Sequence, residues 1–192
     1  VGAPVALVAW LVPIRESGSM LPQLLIASYV RRFKYRKGTW ILGSLLQAAA
    51  LLAMGAVAWA TEGALAGGLI ILCLIIFSLA RGLCSVASKD VIGKTVPKTR
   101  RGRLNGLASS LSGWVALAFG VYCLIWPPQD DDMLFYAVLL AASALLWVLA
   151  ALVYQTIDEA PGATDGGGNG ISEAIGRISL LRDDKAFRRF VI

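Results

Sequence analysis

Long uncharged runs of apolar residues, separated by short polar segments, dominate the hydropathy pattern of the chain. Trp40–Ala60, Leu104–Trp126 and Met133–Ile157 contain no charged residue over 21, 23 and 25 positions, respectively. A transmembrane α-helix needs about 20 such residues, whereas a membrane-barrel strand needs about ten that alternate in polarity. The pattern therefore predicts an all-α, polytopic membrane helix bundle.

Three further runs are shorter or carry charge. Residues 67–95 form a span that Arg81 interrupts. A polar segment, Arg15–Gly18, which we interpret as a tight turn, divides residues 1–14 from residues 17–33. The first run is too short to cross a bilayer, so we expect it to be the end of a span whose start is missing. The predicted spans of this N-terminal bundle, residues 1–157, are 1–14, 17–33, 40–60, 67–95, 104–126 and 133–157.

The polar segments alternate in charge. Residues 31–37 carry five cations and no acid, and residues 89–103 carry six cations and one acid. The segments at Arg15–Glu16, Glu62 and Asp130–Asp132 are neutral or acidic. Since an excess of Lys and Arg marks cytoplasmic loops, the basic segments and the C-terminal segment are predicted to be cytoplasmic. The protein would then be an integral, multi-pass protein of the plasma (inner) membrane.

The character of the chain changes after the sixth run. Residues 158–170 are acidic and glycine-rich, which is typical of a flexible linker. Four apolar residues recur at helical spacing and predict a short amphipathic helix: Ile171, Ile175, Ile178 and Leu181. We therefore interpret residues 158–192 as a cytoplasmic loop between two halves of a longer protein, with the start of a next span at its end.

Composition excludes several function classes. The chain is 57% hydrophobic and 16% charged, and the basic residues behind its net charge of +6 cluster between apolar runs. Membrane topology explains such clusters better than nucleic-acid binding does. Histidine is absent, and Cys73, Cys84 and Cys123 are isolated in apolar runs, as small buried side chains are. We therefore predict no metal, cofactor or catalytic site and do not expect an enzyme.

A charged residue inside a span is costly unless it faces protein or water. Arg81 lies well inside the fourth run, and one face of that predicted helix carries further polar side chains at spacings of three and four. Two interpretations remain open: the wall of a water-filled substrate pathway, or a structural arginine bonded to carbonyl groups of a neighbouring helix. The members of this polar stripe are Ser78, Arg81, Ser85, Ser88 and Lys89.

A second polar face lies near the start of the chain. Glu16, Ser19 and Gln23 occupy positions i, i+3 and i+7, so a helix would carry them on one side. They are candidates for the outer part of the same pathway. The alternative is that Arg15 and Glu16 are interfacial residues of the turn.

Asp90 lies at the basic end of the fourth run. Its expected partners are the cations of residues 31–37, since no acid occurs between Glu16 and Glu62 to neutralise them. Such an ion pair could hold the cytoplasmic ends of helices in one conformation and release them in another. The predicted gating residues are Asp90, Lys89, Arg31, Arg32, Arg36, Arg101 and Gly102.

The span 104–126 carries a seam of small residues, which is typical of close helix packing in membranes. The spans 40–60 and 133–157 are almost wholly apolar and are expected to face lipid, with Gln47 and Ser143 as exceptions. The predicted packing positions of the seam are Gly106, Gly113 and Gly120.

The turn between the fourth and fifth predicted spans has a defined pattern, Pro97-x-x-x-Arg101-Gly102-x-x-x-Gly106, preceded by Asp90. With the order of the spans, this turn resembles the loop between helices 4 and 5 of the major facilitator superfamily of transporters. The segment between helices 2 and 3 reads ASYVRRFKYRKG, without the acid that the family usually has there. By this resemblance the chain holds the end of helix 1, helices 2–6, the central loop and the start of helix 7.

The resemblance implies secondary active transport of a small solute by alternating access, in which two six-helix halves rock around a midplane site. Its partners would be the lipid bilayer, the C-terminal half of the same chain and a small-molecule solute. A cationic pathway favours an anionic or polar solute, and Glu16 is the candidate in this half for a coupled proton. The alternative is a non-transport membrane protein, either a channel-like bundle or an assembly or signalling subunit, without a second half.

Overall fold

The computed structural model describes residues 2–20, 23–128 and 133–164, with the backbone alone at residues 18–20 and 23–24. In this part of the chain every regular element is a helix, which confirms the all-α class. The helices are α1 (Val5–Ala9), α2 (Leu11–Met20), α3 (Gln23–Val30), α4 (Lys37–Ala60), α5 (Gly63–Thr95), α6 (Lys98–Ile125) and α7 (Met133–Gln155). The predicted acidic turn at 130–132, amphipathic helix at 171–181 and next span lie outside the described residues.

Four helices, α4 to α7, are long and apolar enough to cross a membrane, as the uncharged runs predict. The chain is therefore compatible with a multi-pass membrane protein. Two of these helices begin within the basic segments, α4 at Lys37 and α6 at Lys98. Lysine and arginine are good helix formers, and their long stems let the charge reach water beyond the apolar span.

A proline separates α5 from α6. Pro97 excludes the helical conformation at the residue before it, and Val96 is accordingly extended, with φ −114° and ψ 126°. The ring of Pro97 also fixes its own φ at −55°, which suits the residue that precedes a helix. The basic segment from Lys89 to Arg103 is therefore two helix ends joined by a two-residue turn.

The expected tight turn at Arg15–Gly18 is wrong, because these residues lie inside α2. Hydropathy alone marks a polar segment as a break. Arginine and glutamate are nevertheless good helix formers, and Arg15 and Glu16 neutralise each other in an ion pair 2.9 Å long. The helix can therefore continue through them.

The first three helices follow α5 from its start towards its basic end. Gly67 lies against Ala3 and Leu7, the Arg15 carbonyl lies beside Ser78, and a cleft joins Ala27 and Val30 to Val86. Residues further along α1 to α3 contact residues further along α5. These three helices therefore run in the same direction as α5. The 23 residues of these three helices would extend over about 35 Å, enough for one crossing. The described parts of the predicted spans 1–14 and 17–33 thus run in the same direction along α5.

The core of the bundle lies along α4, which packs on α5 and on α7. Helix α4 lies close to α5 at Gly43, where a Cβ atom would lie 2.7 Å from the Cys84 sulfur and 3.0 Å from the Ala80 carbonyl oxygen. One side of α4 is exposed at Leu42 and Leu52, which is compatible with the lipid-facing position expected for this helix. The other side is buried, because small residues allow the helix backbones to approach closely.

Helix α6 stands apart from this core. It buries none of its side chains and packs closely on no other described helix. A Cβ atom added at Gly106, Gly113 or Gly120 would meet nothing among the described residues. The packing seam predicted for this helix therefore has no partner in the described part of the chain and stays a prediction.

Candidate functional site

Charged side chains from three parts of the chain meet at the basic end of the bundle. We call this group the basic-end cluster. Two members come from the residues around the start of α4, two lie one turn apart on α5, and one follows α7. Its members are Arg36, Lys37, Asp90, Lys94 and Glu159.

Asp90 links the residues around the start of α4 to α5. Its carboxylate pairs with the guanidinium of Arg36, and its second oxygen lies 2.8 Å from the ammonium of Lys94. Lys94 is four residues further along α5, the spacing at which helical side chains meet. The partner expected for Asp90 among residues 31–37 is thus Arg36. The gating role of this pair stays a prediction.

Sequence reasoning named neither Lys94 nor Glu159 as a site residue, and Glu159 comes from the more distant segment. It is only 4% exposed, and its carboxylate accepts hydrogen bonds from the backbone N–H groups of Arg36 (2.9 Å) and Lys37 (2.8 Å). It also lies 2.8 Å from the Lys94 ammonium. The first amides of a helix lack partners within the helix and carry its positive dipole end. Glu159 therefore caps α4 from a distant segment.

The pKa of Glu159 reflects its burial and its contacts. Burial acts to raise it, but hydrogen bonds from Lys94 and from the Arg36 and Lys37 amides, with the charge of Lys94, outweigh burial. The net effect is a pKa below the usual value of a glutamate. The carboxylate is consequently held in its ionised form at neutral pH.

The segment after α7, residues 156–164, lies across the ends of α4 and α5, and we call it the strap. Its carbonyl groups at Ile157 and Ala163 accept hydrogen bonds from Lys37 Nζ (2.9 Å) and Arg36 Nη2 (3.0 Å). Its Gly162 amide donates to the Lys34 carbonyl at 3.0 Å.

This docking corrects the interpretation of residues 158–164 as a flexible linker. Glycine and acidic residues are typical of linkers, but here an acid meets cations and unpaired helix amides. The signal in the sequence is the excess of positive charge at residues 31–37, which the acids at Asp158 and Glu159 can balance.

Arg101 and Gly102 lie away from the basic-end cluster. Arg101 donates hydrogen bonds to the carbonyl groups of Val96 (2.9 Å) and Gly93 (2.6 Å). It thereby satisfies carbonyl groups that the end of α5 leaves without helical partners. Among the described residues, a Cβ atom at Gly102 would meet nothing within 4 Å. This geometry gives Arg101 a capping contact at the turn and shows no need for glycine at position 102.

The remaining predicted gating residues, Arg31, Arg32 and Lys89, are exposed. Arg31 and Lys89 line a cleft of about 430 Å³ with Arg36 and Asp90. Lys89 thus faces this cleft and does not join the ion pairs of Asp90. Arg32 enters neither the cluster nor the cleft.

The polar stripe around Arg81 divides between two environments. Ser78 is fully buried, with its hydroxyl 3.5 Å from the Arg15 carbonyl oxygen on α2. Arg81 is exposed, and no described carbonyl group accepts a hydrogen bond from it. Ser85 and Ser88 are partly exposed and bonded to each other, Ser88 Oγ to Ser85 O at 3.2 Å. Among the described residues, Arg81 therefore lacks the carbonyl partners of a structural arginine.

Arg15 and Glu16 lie deeper than expected. Ser78, beside the Arg15 carbonyl, is the sixteenth residue of α5 and about 22 Å from its start. Both charged side chains are about half exposed, at 58% and 49%. Glu16 thus lies near the middle of α5, as Arg81 does, rather than at the outer edge. The side chains of Ser19 and Gln23, predicted on the same face, lie outside the described residues.

A buried polar group joins α4 to α5. Gln47 is 0% exposed, and its amide donates to the Cys84 sulfur and to the Gly43 carbonyl, both at 3.3 Å. The Cys84 thiol contacts the Trp40 carbonyl at 3.4 Å and the Ser44 hydroxyl at 3.7 Å. The Gln47 side chain therefore bonds α4 to α5 and is not a polar residue on a lipid-facing surface. Cys84 is buried, as predicted.

The described residues contain no group of three His, Cys, Asp or Glu side chains placed to hold a metal ion. Comparison of the chain with protein-family models, curated proteins and solved structures gives no match.

Proposed function

We propose that the protein carries out secondary active transport of a small anionic or polar solute by alternating access. The observation that carries the proposal is the depth of Arg15, Glu16 and Arg81, all near the middle of α5 and all exposed. Ionisable groups within a span face a water-filled cavity or a partner, and they mark substrate or ion pathways in membrane proteins. Two cations against one acid favour an anionic or polar solute.

The basic-end cluster supplies the second element that transport requires. Asp90 joins Arg36, which precedes α4, to Lys94 on α5, while Glu159 joins the strap to both helices. Ion pairs between separate helices can be made in one state and broken in the other, which makes such a cluster a latch. We assign the latch to the cytoplasmic side of the plasma membrane, where basic loops lie.

The resemblance to the major facilitator superfamily supports this proposal. It rests on the turn at Pro97–Gly106, on the ion pair between Asp90 and the basic segment before α4, and on the charged groups at mid-span depth. The proposal includes a second bundle, from the same chain, that closes the pathway on the exposed faces of α2, α5 and α6.

A transport assay in proteoliposomes with the full-length protein tests the proposal. Uptake of a panel of small carboxylates and sugar phosphates would identify a solute, after which Arg81→Ala and Glu16→Gln are compared with wild type. Both are expected to lower uptake about ten-fold or more, since an interaction with a charged group contributes about 1.5–3 kcal/mol. Arg100→Ala, an exposed arginine outside the uncharged spans, serves as the matched control. Uptake that is equal in all four proteins would refute the proposal.

The uncovered surface of α6 favours a second candidate, a membrane subunit that assembles with another membrane protein through this helix. α6 buries none of its side chains among the described residues. A transporter predicts a second apolar repeat further along the same gene, whereas an assembly subunit predicts a separate protein that co-purifies through α6. For an assembly subunit, Gly113→Leu on the exposed seam would abolish that co-purification, and neither the wild type nor the variant would take up solute.

A further inference from the structure

A cleft of about 430 Å³ opens at the basic end of the bundle, between α3 and α5. Three cations line it, Arg31, Arg36 and Lys89, together with one acid, Asp90. Asp90 is already engaged by Arg36 and Lys94. Neither Arg31 nor Lys89 forms an ion pair within the described part of the chain. The cleft therefore carries positive charge that the described residues leave uncompensated.

Arg36 provides an independent sign of a ligand. It is only 7% exposed and lines the cleft. Its terminal nitrogens bind Asp90 and the Ala163 carbonyl, but its Nε–H is buried without a hydrogen-bond partner in the described residues. A buried donor that has left water without gaining an acceptor is unfavourable. The guanidinium group of Arg36 therefore keeps one unsatisfied donor beside the cleft, and the neighbouring cations favour an anionic ligand there.

The depth and lining of the cleft define the kind of molecule that fits. Its remaining walls are apolar, formed by Ala27, Val30 and Val86. On the same stretch of chain, Tyr29 and Tyr35 are exposed, and tyrosine is enriched at the level of lipid headgroups. A cationic rim above apolar walls at this level matches a molecule with an anionic head and a hydrocarbon tail.

We propose that this cleft binds the phosphate group of an anionic phospholipid from the leaflet at the basic end of the bundle. The phosphate lies between Arg31 and Lys89, beside the guanidinium group of Arg36. The acyl chain follows the apolar walls towards the membrane interior. Basic pockets between membrane helices bind anionic headgroups by this combination of charge and depth. The inference requires a membrane protein but does not rest on transport.

Native mass spectrometry of the full-length protein, titrated with phosphatidylglycerol or phosphatidylcholine, tests the inference. Wild type is expected to bind phosphatidylglycerol more tightly. Arg31→Gln/Lys89→Gln should weaken that binding about 30-fold, since each cation near an anionic lipid surface contributes roughly one factor of five. The matched control Lys98→Gln/Arg100→Gln removes the same charges from exposed positions and should change the affinity less than about two-fold. Equal losses in both double variants would overturn the inference.

A second comparison separates a lipid from free phosphate. Val86→Phe fills the apolar wall and leaves every charge in place, so it should weaken phosphatidylglycerol binding while any binding of inorganic phosphate persists. The charge-preserving variant Arg31→Lys/Lys89→Arg should retain lipid binding, which controls for a general loss of structure. If inorganic phosphate binds with the same dependence on Arg31 and Lys89 and displaces the lipid at equal concentration, the lipid assignment is wrong.

Discussion

The carboxylate of Glu159 lies 2.8 Å from the ammonium of Lys94 and ties the strap after the last described helix to the end of α5. Lys94 in turn binds Asp90, and Asp90 binds Arg36, whose own amide donates to Glu159. The contacts therefore close a ring across α4, α5 and the strap. Removing the charge of one member is expected to change the contacts of the others, because charges in such a network share their partners.

Glu159→Gln should release the strap from the start of α4. The variant removes the charge that holds Lys94 and weakens the bonds to the Arg36 and Lys37 amides. Those amides have no acceptor within α4, so they should exchange with deuterium at least about ten-fold faster, since a hydrogen bond to a charged group contributes roughly 1.5–3 kcal/mol. Hydrogen exchange with mass spectrometry on peptides covering residues 34–40 measures this. Asp158→Asn, an exposed acid beside it, is the control, and unchanged protection in Glu159→Gln would contradict the docking role.

The same contact predicts a pH dependence in the acid range. The pKa of Glu159 is lower in the folded protein than in the unfolded chain, so its contribution to stability is fully present above the ordinary glutamate pKa of about 4.3. It is lost as the pH falls through the lowered folded value. The difference in thermal stability between wild type and Glu159→Gln should therefore be constant at neutral pH and shrink under acid. A difference that grows on acidification would contradict the assigned sign.

Much of the architecture could be predicted from the sequence because long uncharged runs of apolar residues indicate membrane helices. The runs behind α4 and α7 locate these helices within three residues, whereas α6 begins six residues before its run, at Lys98. Charge balance similarly predicts a partner for Asp90 among residues 31–37, which are rich in cations and lack acids, and Arg36 is that partner. Both inferences need only local composition and the cost of unpaired charge.

Other features depend on contacts that one-dimensional patterns do not contain. Hydropathy predicts a turn at Arg15 and Glu16, because it cannot tell a polar helix segment from a break. Glu159 lies over 120 residues from Arg36 in sequence, and its glycine-rich surroundings indicate a linker. Similarly, the uncharged run around Gly43 predicts a lipid-facing helix, yet Gly43 lies in close contact with α5. Each case is decided by which surfaces meet, not by composition.

Gly43→Ala should destabilise the bundle. The added methyl group would lie 2.7 Å from the Cys84 sulfur and 3.0 Å from the Ala80 carbonyl oxygen, so α4 and α5 must move apart. Overpacking of this kind costs about 1–3 kcal/mol. Thermal unfolding in detergent should show a lower midpoint for Gly43→Ala. Gly68→Ala, in α5 with open space around it, is the matched control and should be neutral or slightly stabilising, because alanine favours helices.

Asp90→Asn tests whether the basic-end cluster is a latch. The change removes the charge that pairs with both Arg36 and Lys94 but keeps the size of the side chain. If these pairs form in only one conformation, the equilibrium between inward-open and outward-open states should shift by about ten-fold, within the usual range of coupling between sites.

Cysteine-accessibility labelling from each side of the membrane, in the full-length protein, measures this shift. Arg101→Gln is the control for the gating set. Arg101 bonds the carbonyl groups of Val96 and Gly93, which lie at the same turn in any arrangement of the helices. It should therefore lower thermal stability by about 0.5–1.5 kcal/mol without moving the equilibrium. If Asp90→Asn leaves the equilibrium in place, Asp90 is a static tie and the gating assignment is wrong. If Arg101→Gln shifts it as strongly as Asp90→Asn does, the shift reflects general loosening of the basic end rather than release of a latch.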